Sequence, residues 1–177
     1  MRHVRYHDSP IGKLTLVSDG TSLTELWLGG EVEEEESPAT VEVLDAAVRQ
    51  LDEYFGGNRT VFELPLDPAG TPFQKRVWEH LVQIPYGKTT TYGEIALRLG
   101  NGGASRAVGL ANGRNPIGIV IPCHRVVGAN NSLTGYAGGL DRKRTLLDFE
   151  ASVLRTGPQP MVFIESSLFG SAPAADR

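Results

Sequence analysis

The chain of 177 residues carries one cysteine, Cys123, and His124 follows it directly. A single thiol cannot close an internal disulfide, so Cys123 is either an inert buried residue or a reactive group. Free cysteines are often buried and inert, but these neighbours favour reactivity. His124 offers a proton acceptor and Arg125 a positive charge, and both promote the thiolate, the nucleophilic form. Residues 117–121 read as a buried strand, and Pro122 ends any ladder pairing there. Adjacent residues of an extended segment point to opposite sides. Cys123 and His124 are therefore expected to communicate through a bridging water. A histidine acting as a base needs an orienting acid. Glu150 is the candidate: it closes an expected helix over 140–150, where the negative end of the dipole disfavours a carboxylate that has no partner.

The elements that must hold these groups can be read in outline. Residues 3–6, 14–17 and 23–28 alternate as short strands between turn clusters, which gives an antiparallel meander. Residues 31–36 form an acidic, solvated loop, expected to be mobile. Val41, Leu44, Val48, Leu51 and Phe55 recur at helical spacing, and Gly56-Gly57 ends that run. Residues 61–70, with Pro65 and Pro68, read as an extended linker. Thr71-Pro72 opens a helix as N-cap and first-turn proline. Thr91 and Glu94 form a capping box that starts a second helix. A glycine-rich turn over 100–103 leads to a third helix over 104–112, a helix-turn-helix pattern. Residues 128–132 read as a hairpin turn, and 133–139 as a flexible loop carrying Tyr136. The organisation is a sheet-and-helix domain with linker over 1–70, a helical domain over 71–155 and a flexible tail over 156–177.

Composition narrows the function classes. The net charge of −4 conceals an asymmetry: residues 1–70 hold 5 basic against 14 acidic side chains, whereas residues 71–155 hold 11 against 5. A basic half that contains the thiol suits a polyanionic partner. No apolar run approaches the roughly 20 residues of a membrane span, and the N-terminus shows no signal-peptide pattern. One cysteine and no targeting segment point to the cytoplasm. His3 and His7 have no cysteine or acidic partner at metal-ligand spacing, so no metal is expected, and nothing calls for a cofactor.

The third helix is unusual. Ser105, Ala107, Gly109 and Ala111 are small, although glycine costs about 1 kcal/mol against alanine in a helix. Two readings account for it. One is tight packing on a neighbouring helix. The other is entry into a DNA groove with Arg106 as a probe, and the minor groove is only about 6 Å wide, so the helix must be slim.

These motifs resemble the O6-alkylguanine-DNA alkyltransferases. The matching stretches are 73–78, Ile84-Pro85-Tyr86-Gly87, Thr91-Tyr92-Gly93-Glu94-Ile95-Ala96, Ser105-Arg106-Ala107-Val108-Gly109, Asn115-Pro116, 121–127, and Gly135-Tyr136 through Glu150. The resemblance implies an α/β (α+β) fold: a small N-terminal domain with antiparallel sheet and helix, and a C-terminal winged helix-turn-helix-like DNA-binding domain. It implies a DNA repair activity that flips O6-alkylated guanine from duplex DNA and moves the alkyl group irreversibly to Cys123. His124, Glu150 and Asn115 would support that thiol. Arg106 would fill the gap left by the base, Tyr92 would crowd the adjoining phosphate, and Ser105, Ala107, Gly109 and Ala111 would line the DNA contact. Tyr136, Val126, Ala137 and Gly138 would wall the guanine pocket. The implied partner is double-stranded DNA containing O6-alkylguanine, bound by a monomer, with cooperative loading left open. Some members bind zinc through N-terminal cysteines, which this chain lacks, and Ala137 stands where others carry serine. A non-transferring sensor of alkylated DNA is the alternative.

Overall fold

The computed structural model describes residues 1–29, 35–38 and 40–161. Residues 31–34 of the acidic loop and most of the expected tail lie outside the described residues. The first three strands are β1 (His3–Ser9), β2 (Gly12–Ser18) and β3 (Leu23–Leu28), paired antiparallel in the order β1-β2-β3. Pro10-Ile11 turns β1 into β2, with Gly12 at φ 104°, where glycine carries no Cβ penalty.

Helix α1 (Glu42–Phe55) crosses all three strands. Its N-cap, Val41, makes no side-chain capping bond, a loss of about 1 kcal/mol. Leu44 and Leu51 are fully buried, and at about 1.5–3 kcal/mol each they outweigh it. Gln50 ties the linker to this helix by donating to Glu63 O at 3.0 Å and accepting from Glu63 N at 2.8 Å.

The C-terminal half contains α2 (Pro72–Val82), β4 (Thr90–Thr91), α3 (Tyr92–Arg98), α4 (Ser105–Gly113), β5 (Val126–Val127) and α5 (Leu140–Thr156). Thr71 caps α2 and Thr91 caps α3, each in a reciprocal capping box with Gln74 or Glu94. Trp78 locks α2 to α4 by donating its indole N–H to Ala111 O at 2.9 Å. The two-residue strands β4 and β5 pair in parallel and bring the start of α3 beside the segment that follows the cysteine.

The outer edge of β3 joins the two halves. Leu23 N donates to Pro65 O and Asp67 N to Leu23 O, so the linker lies against that edge. Further along, Leu26 N donates to Pro116 O at 2.7 Å and Gly118 N to Leu26 O at 3.0 Å. One apolar cluster runs from Leu14 and Leu44 through Val77 and Ile121 to Val153.

Three local readings are corrected. Helix α5 continues to Thr156, so Glu150 is interior and not at the helix end. The first residues after it, 157–161, are anchored, since Met161 is buried and its N–H donates to Phe55 O at 2.7 Å. Residues 128–132 do turn, with Gly128 N donating to Ser132 O, but β5 pairs with β4 and no hairpin forms. No helix among the described residues is long and apolar enough to cross a membrane.

Candidate active site

Residues 117–121 are a compact turn and not a strand. Ile121 N donates back to Ile117 O, and Ile119 sits at φ 67°, a region that a β-branched residue rarely occupies. The apolar run reflects complete burial, which a strand and a buried turn produce alike. Asn115 holds the turn from inside: its Oδ1 accepts from Ile117 N at 3.0 Å and its Nδ2 donates to Ile121 O at 2.8 Å. Cys123, His124 and Arg125 then form one 3-10 turn, so the alternation of an extended chain does not apply to them. Asn112, which the sequence did not single out, reaches the same turn with Nδ2 at 3.4 Å from Cys123 O.

Behind the cysteine lies a fully buried network. His124 and Glu150 are both 0 % exposed, and His124 Nε2 lies 2.7 Å from Glu150 Oε1. A carboxylate only accepts, so Nε2 carries the proton and Nδ1 is the lone-pair nitrogen. His124 Nδ1 is buried and has no hydrogen-bond partner among the described residues. Arg125 grips Glu150 with two bonds of 2.9 Å, from Nε to Oε2 and from Nη2 to Oε1, and donates Nη1 to Ile84 O. The Tyr54 hydroxyl, from α1, donates to Glu150 Oε1 at 2.8 Å, and Gly87 N to Oε2 at 3.0 Å.

The electrostatics follow. Burial works to raise the Glu150 carboxyl, but His124 and Arg125 outweigh it and hold the group well below the usual carboxylate range. Burial pushes the His124 imidazole down, against the pull of Glu150, which keeps it neutral and able to accept a proton. Burial pushes the Cys123 thiol up, offset in part by Asn115 and the charge of Lys143. The resting thiol is therefore protonated, and its activation requires a base.

The loop over 133–139 stands in front of the thiol. The Tyr136 hydroxyl is buried without a hydrogen-bond partner among the described residues, and burial, with Cys123 adding to it, holds its pKa well above the usual tyrosine range. Val126 is fully buried in β5, Gly138 is buried and Ala137 is exposed. Lys143 was not legible in the sequence as a site residue. It is fully buried, donates to Thr134 O at 2.8 Å and lies 6.0 Å from the Tyr92 ring centre. Burial lowers its pKa to about 8, against the pull of Cys123. Tyr92 also donates to Thr134 O, at 3.2 Å, so it braces this loop from the start of α3.

Helix α4 is divided between the two readings of its small residues. Arg106 and Ala107 are exposed, Ser105 and Gly109 half-buried, and Gly109 lies against the Tyr92 ring. Ala111, expected at the DNA contact, is only 3 % exposed, and its carbonyl accepts from Trp78 of α2, so close packing of α4 on α2 accounts for its small size. Among the described residues no group of three or more His, Cys, Asp or Glu could hold a metal ion.

Comparison with known proteins places this geometry. Residues 72–152 match the 6-O-methylguanine DNA methyltransferase DNA-binding domain, and residues 3–68 match the ribonuclease-like domain of the same family. The chain is similar to the methylated-DNA–protein-cysteine methyltransferase of Mycobacterium tuberculosis (strain ATCC 25618 / H37Rv), 51% identical over 158 residues, covering 86% of this chain and 94% of that one. The protein of that name from Mycobacterium leprae is 53% identical over 156 residues, with 85% and 93% covered. Among solved structures, Mycobacterium tuberculosis OGT in complex with DNA superposes with a TM-score of 0.78 at 52% identity, covering 85% of this chain and 93% of that one.

Proposed function

This chain belongs to the 6-O-methylguanine DNA methyltransferase family and is a methylated-DNA–protein-cysteine methyltransferase, and we propose that it repairs double-stranded DNA by taking the alkyl group of a flipped O6-alkylguanine onto Cys123, once per molecule. The observation that carries this reading is the buried Glu150–His124 pair behind a lone, protonated thiol.

An alkyl group on guanine O6 is out of reach inside a stacked duplex, so the base must leave the stack at a cost of a few kcal/mol. The exposed face of α4 presents Arg106 and Ala107 to the duplex, with Ser105 and Gly109 close behind. Arg106 fills the gap left by the base, and Tyr92 crowds the adjoining phosphate. The base enters between Cys123 and the loop over 133–139, with Tyr136, Ala137 and Gly138 as its walls and Val126 as the floor. His124 Nδ1 takes the Cys123 proton through a water, while Glu150 holds the ring in the required tautomer. Lys143 stabilises the thiolate, and Asn115 holds the turn that aims it. The sulfur attacks the alkyl carbon, the S–C bond forms and the C–O6 bond breaks. Guanine keeps the electron pair and takes up a proton. The product is a thioether, which does not undergo thiol exchange, and no second cysteine exists to receive the group. A reduced thiol used in this way suits the cytoplasm.

The test is a titration of the protein with duplex DNA containing O6-methylguanine, followed by mass spectrometry of the digested protein. One methyl per molecule on the peptide carrying Cys123 is expected. Removal of many methyls by a fixed amount of protein would overturn single turnover, and tight binding without transfer would make the chain a sensor.

A further inference from the structure

We propose that Arg142 is a positioning residue that straps the loop over 133–139 to the N-terminal sheet, so that the sheet sets the shape of the pocket wall. The inference rests on the proposed role of that loop in holding the alkylated base. Arg142 is 6 % exposed although it is charged. Its Nε donates to Ile11 O at 3.0 Å, in the turn between β1 and β2. Its Nη1 donates to Gly138 O at 3.0 Å, in the loop. One rigid guanidinium thus bridges two carbonyls from opposite halves of the chain, which the single ammonium of lysine matches poorly.

The sheet leaves room for it. A Cβ on Gly12 would stand 3.4 Å from Arg142 Nη2, and one on Gly29 would stand 2.9 Å from it. Gly29 has φ 72°, so both space and backbone conformation demand glycine there. The loop needs such support. Gly135 at φ 40° and Gly139 at φ 90° give it little stiffness of its own, and ordering backbone costs about 1–2 kcal/mol per residue. Lys143 and Tyr92 hold its first part through Thr134 O, and Arg142 holds its last part. Tyr136 lies between these anchors, its hydroxyl within the fields of both Cys123 and Arg142. The bonds from Arg142 to Ile11 O and Gly138 O bear on the wall, so the effect is expected in the wall first.

Three rates separate that role from a merely structural one. The full-length protein and its Arg142→Gln, Arg142→Lys and Gly29→Ala variants are assayed for transfer from free O6-benzylguanine, for alkylation of Cys123 by iodoacetamide, and for hydrogen exchange over 133–139. Arg142→Gln should slow the benzylguanine reaction by roughly tenfold or more, because a displaced wall spoils alignment, and should not slow the iodoacetamide reaction. Arg142→Lys should fall between, and Gly29→Ala should follow the same pattern by pushing the guanidinium aside. Amides 135–139 should exchange faster in every variant. Parallel losses with both reagents, or unchanged exchange over the loop, would overturn the proposal. If the wild type reacts with iodoacetamide but not with O6-benzylguanine, the functional reading fails, and loop exchange alone still decides the strap. Should Arg142→Gln not fold, Arg142→Lys and Gly29→Ala carry the test.

Discussion

The open face of α4 and the buried turn around Cys123 solve opposite problems. On α4, Arg106 is exposed and has no hydrogen bond or ion pair among the described residues. Beneath Cys123, a single carboxylate receives five hydrogen bonds from Tyr54, Gly87, His124 and Arg125. In the proposed function the first region keeps that charge for the duplex. The second satisfies its carboxylate in advance, and among the described residues it leaves His124 Nδ1, Asn112 Oδ1 and the Tyr86 and Tyr136 hydroxyls without hydrogen-bond partners. On that proposal, recognition is assembled on binding and chemistry on folding.

The sharpest way to separate the two regions is to remove the nucleophile. Cys123→Ser should abolish transfer and leave binding to duplex DNA intact, measured by gel shift beside a methyl-transfer assay. A matching loss of DNA affinity would merge the two regions into one.

Glu150→Gln should break the buried region most severely. An amide cannot serve all five donors, and it leaves the Arg125 charge without its partner, a loss of about 3–5 kcal/mol for a buried pair. A thermal or urea melt measures it, and transfer should slow as well. Position at a helix end would instead have made this substitution neutral for folding.

Breaking the exposed region should cost less. Arg106→Ala should slow repair of duplex DNA by about tenfold, the equivalent of about 1.4 kcal/mol from a flip that costs a few. Reaction with free O6-benzylguanine should stay at the wild-type rate. Equal losses on both substrates would move Arg106 into the chemistry.

The smallest effects are those of pH, and they report the buried region alone. The Glu150 carboxyl is held low in the fold and titrates near 4.3 when unfolded. Its contribution to stability is therefore complete above that value and is lost as pH falls through the folded one. The stability gap between wild type and Glu150→Gln should narrow only in acid. The transfer rate should rise with pH as the raised Cys123 thiol ionises, and fall in acid as His124 takes up a proton. A flat rate profile would remove His124 as the base.

What could be read from the sequence tracks the range of the interactions. The Thr71 N-cap and the Thr91–Glu94 capping box were legible because each rests on residues at most three positions apart, whereas the Gln74 half of the first box was supplied by the structure. The meander and α1 were legible from periodicity and glycine punctuation. The segment before Cys123 was not, because its shape depends on one side chain, Asn115, and on pairing with Leu26 across the molecule. Glu150 was chosen on a faulty premise about the helix end, and the structure supplies the sounder reason, a buried pairing with His124. Tyr54, Lys143 and Arg142 lay beyond reach. Their spacing carries no motif, and only the fold brings Tyr54 next to a carboxylate 96 positions away.

The seam along the outer edge of β3 has a dynamic consequence. Because the N–H and the C=O of Leu26 are both bonded to residues 116–118, the turn that carries the thiol cannot leave the edge of β3 without breaking both bonds. The amide protons of Leu26 and Gly118 should then exchange with solvent at one shared rate, set by a single cooperative opening. That rate is the clock on which the rear of the Cys123 turn is exposed to bulk water, however often the loop in front of it moves.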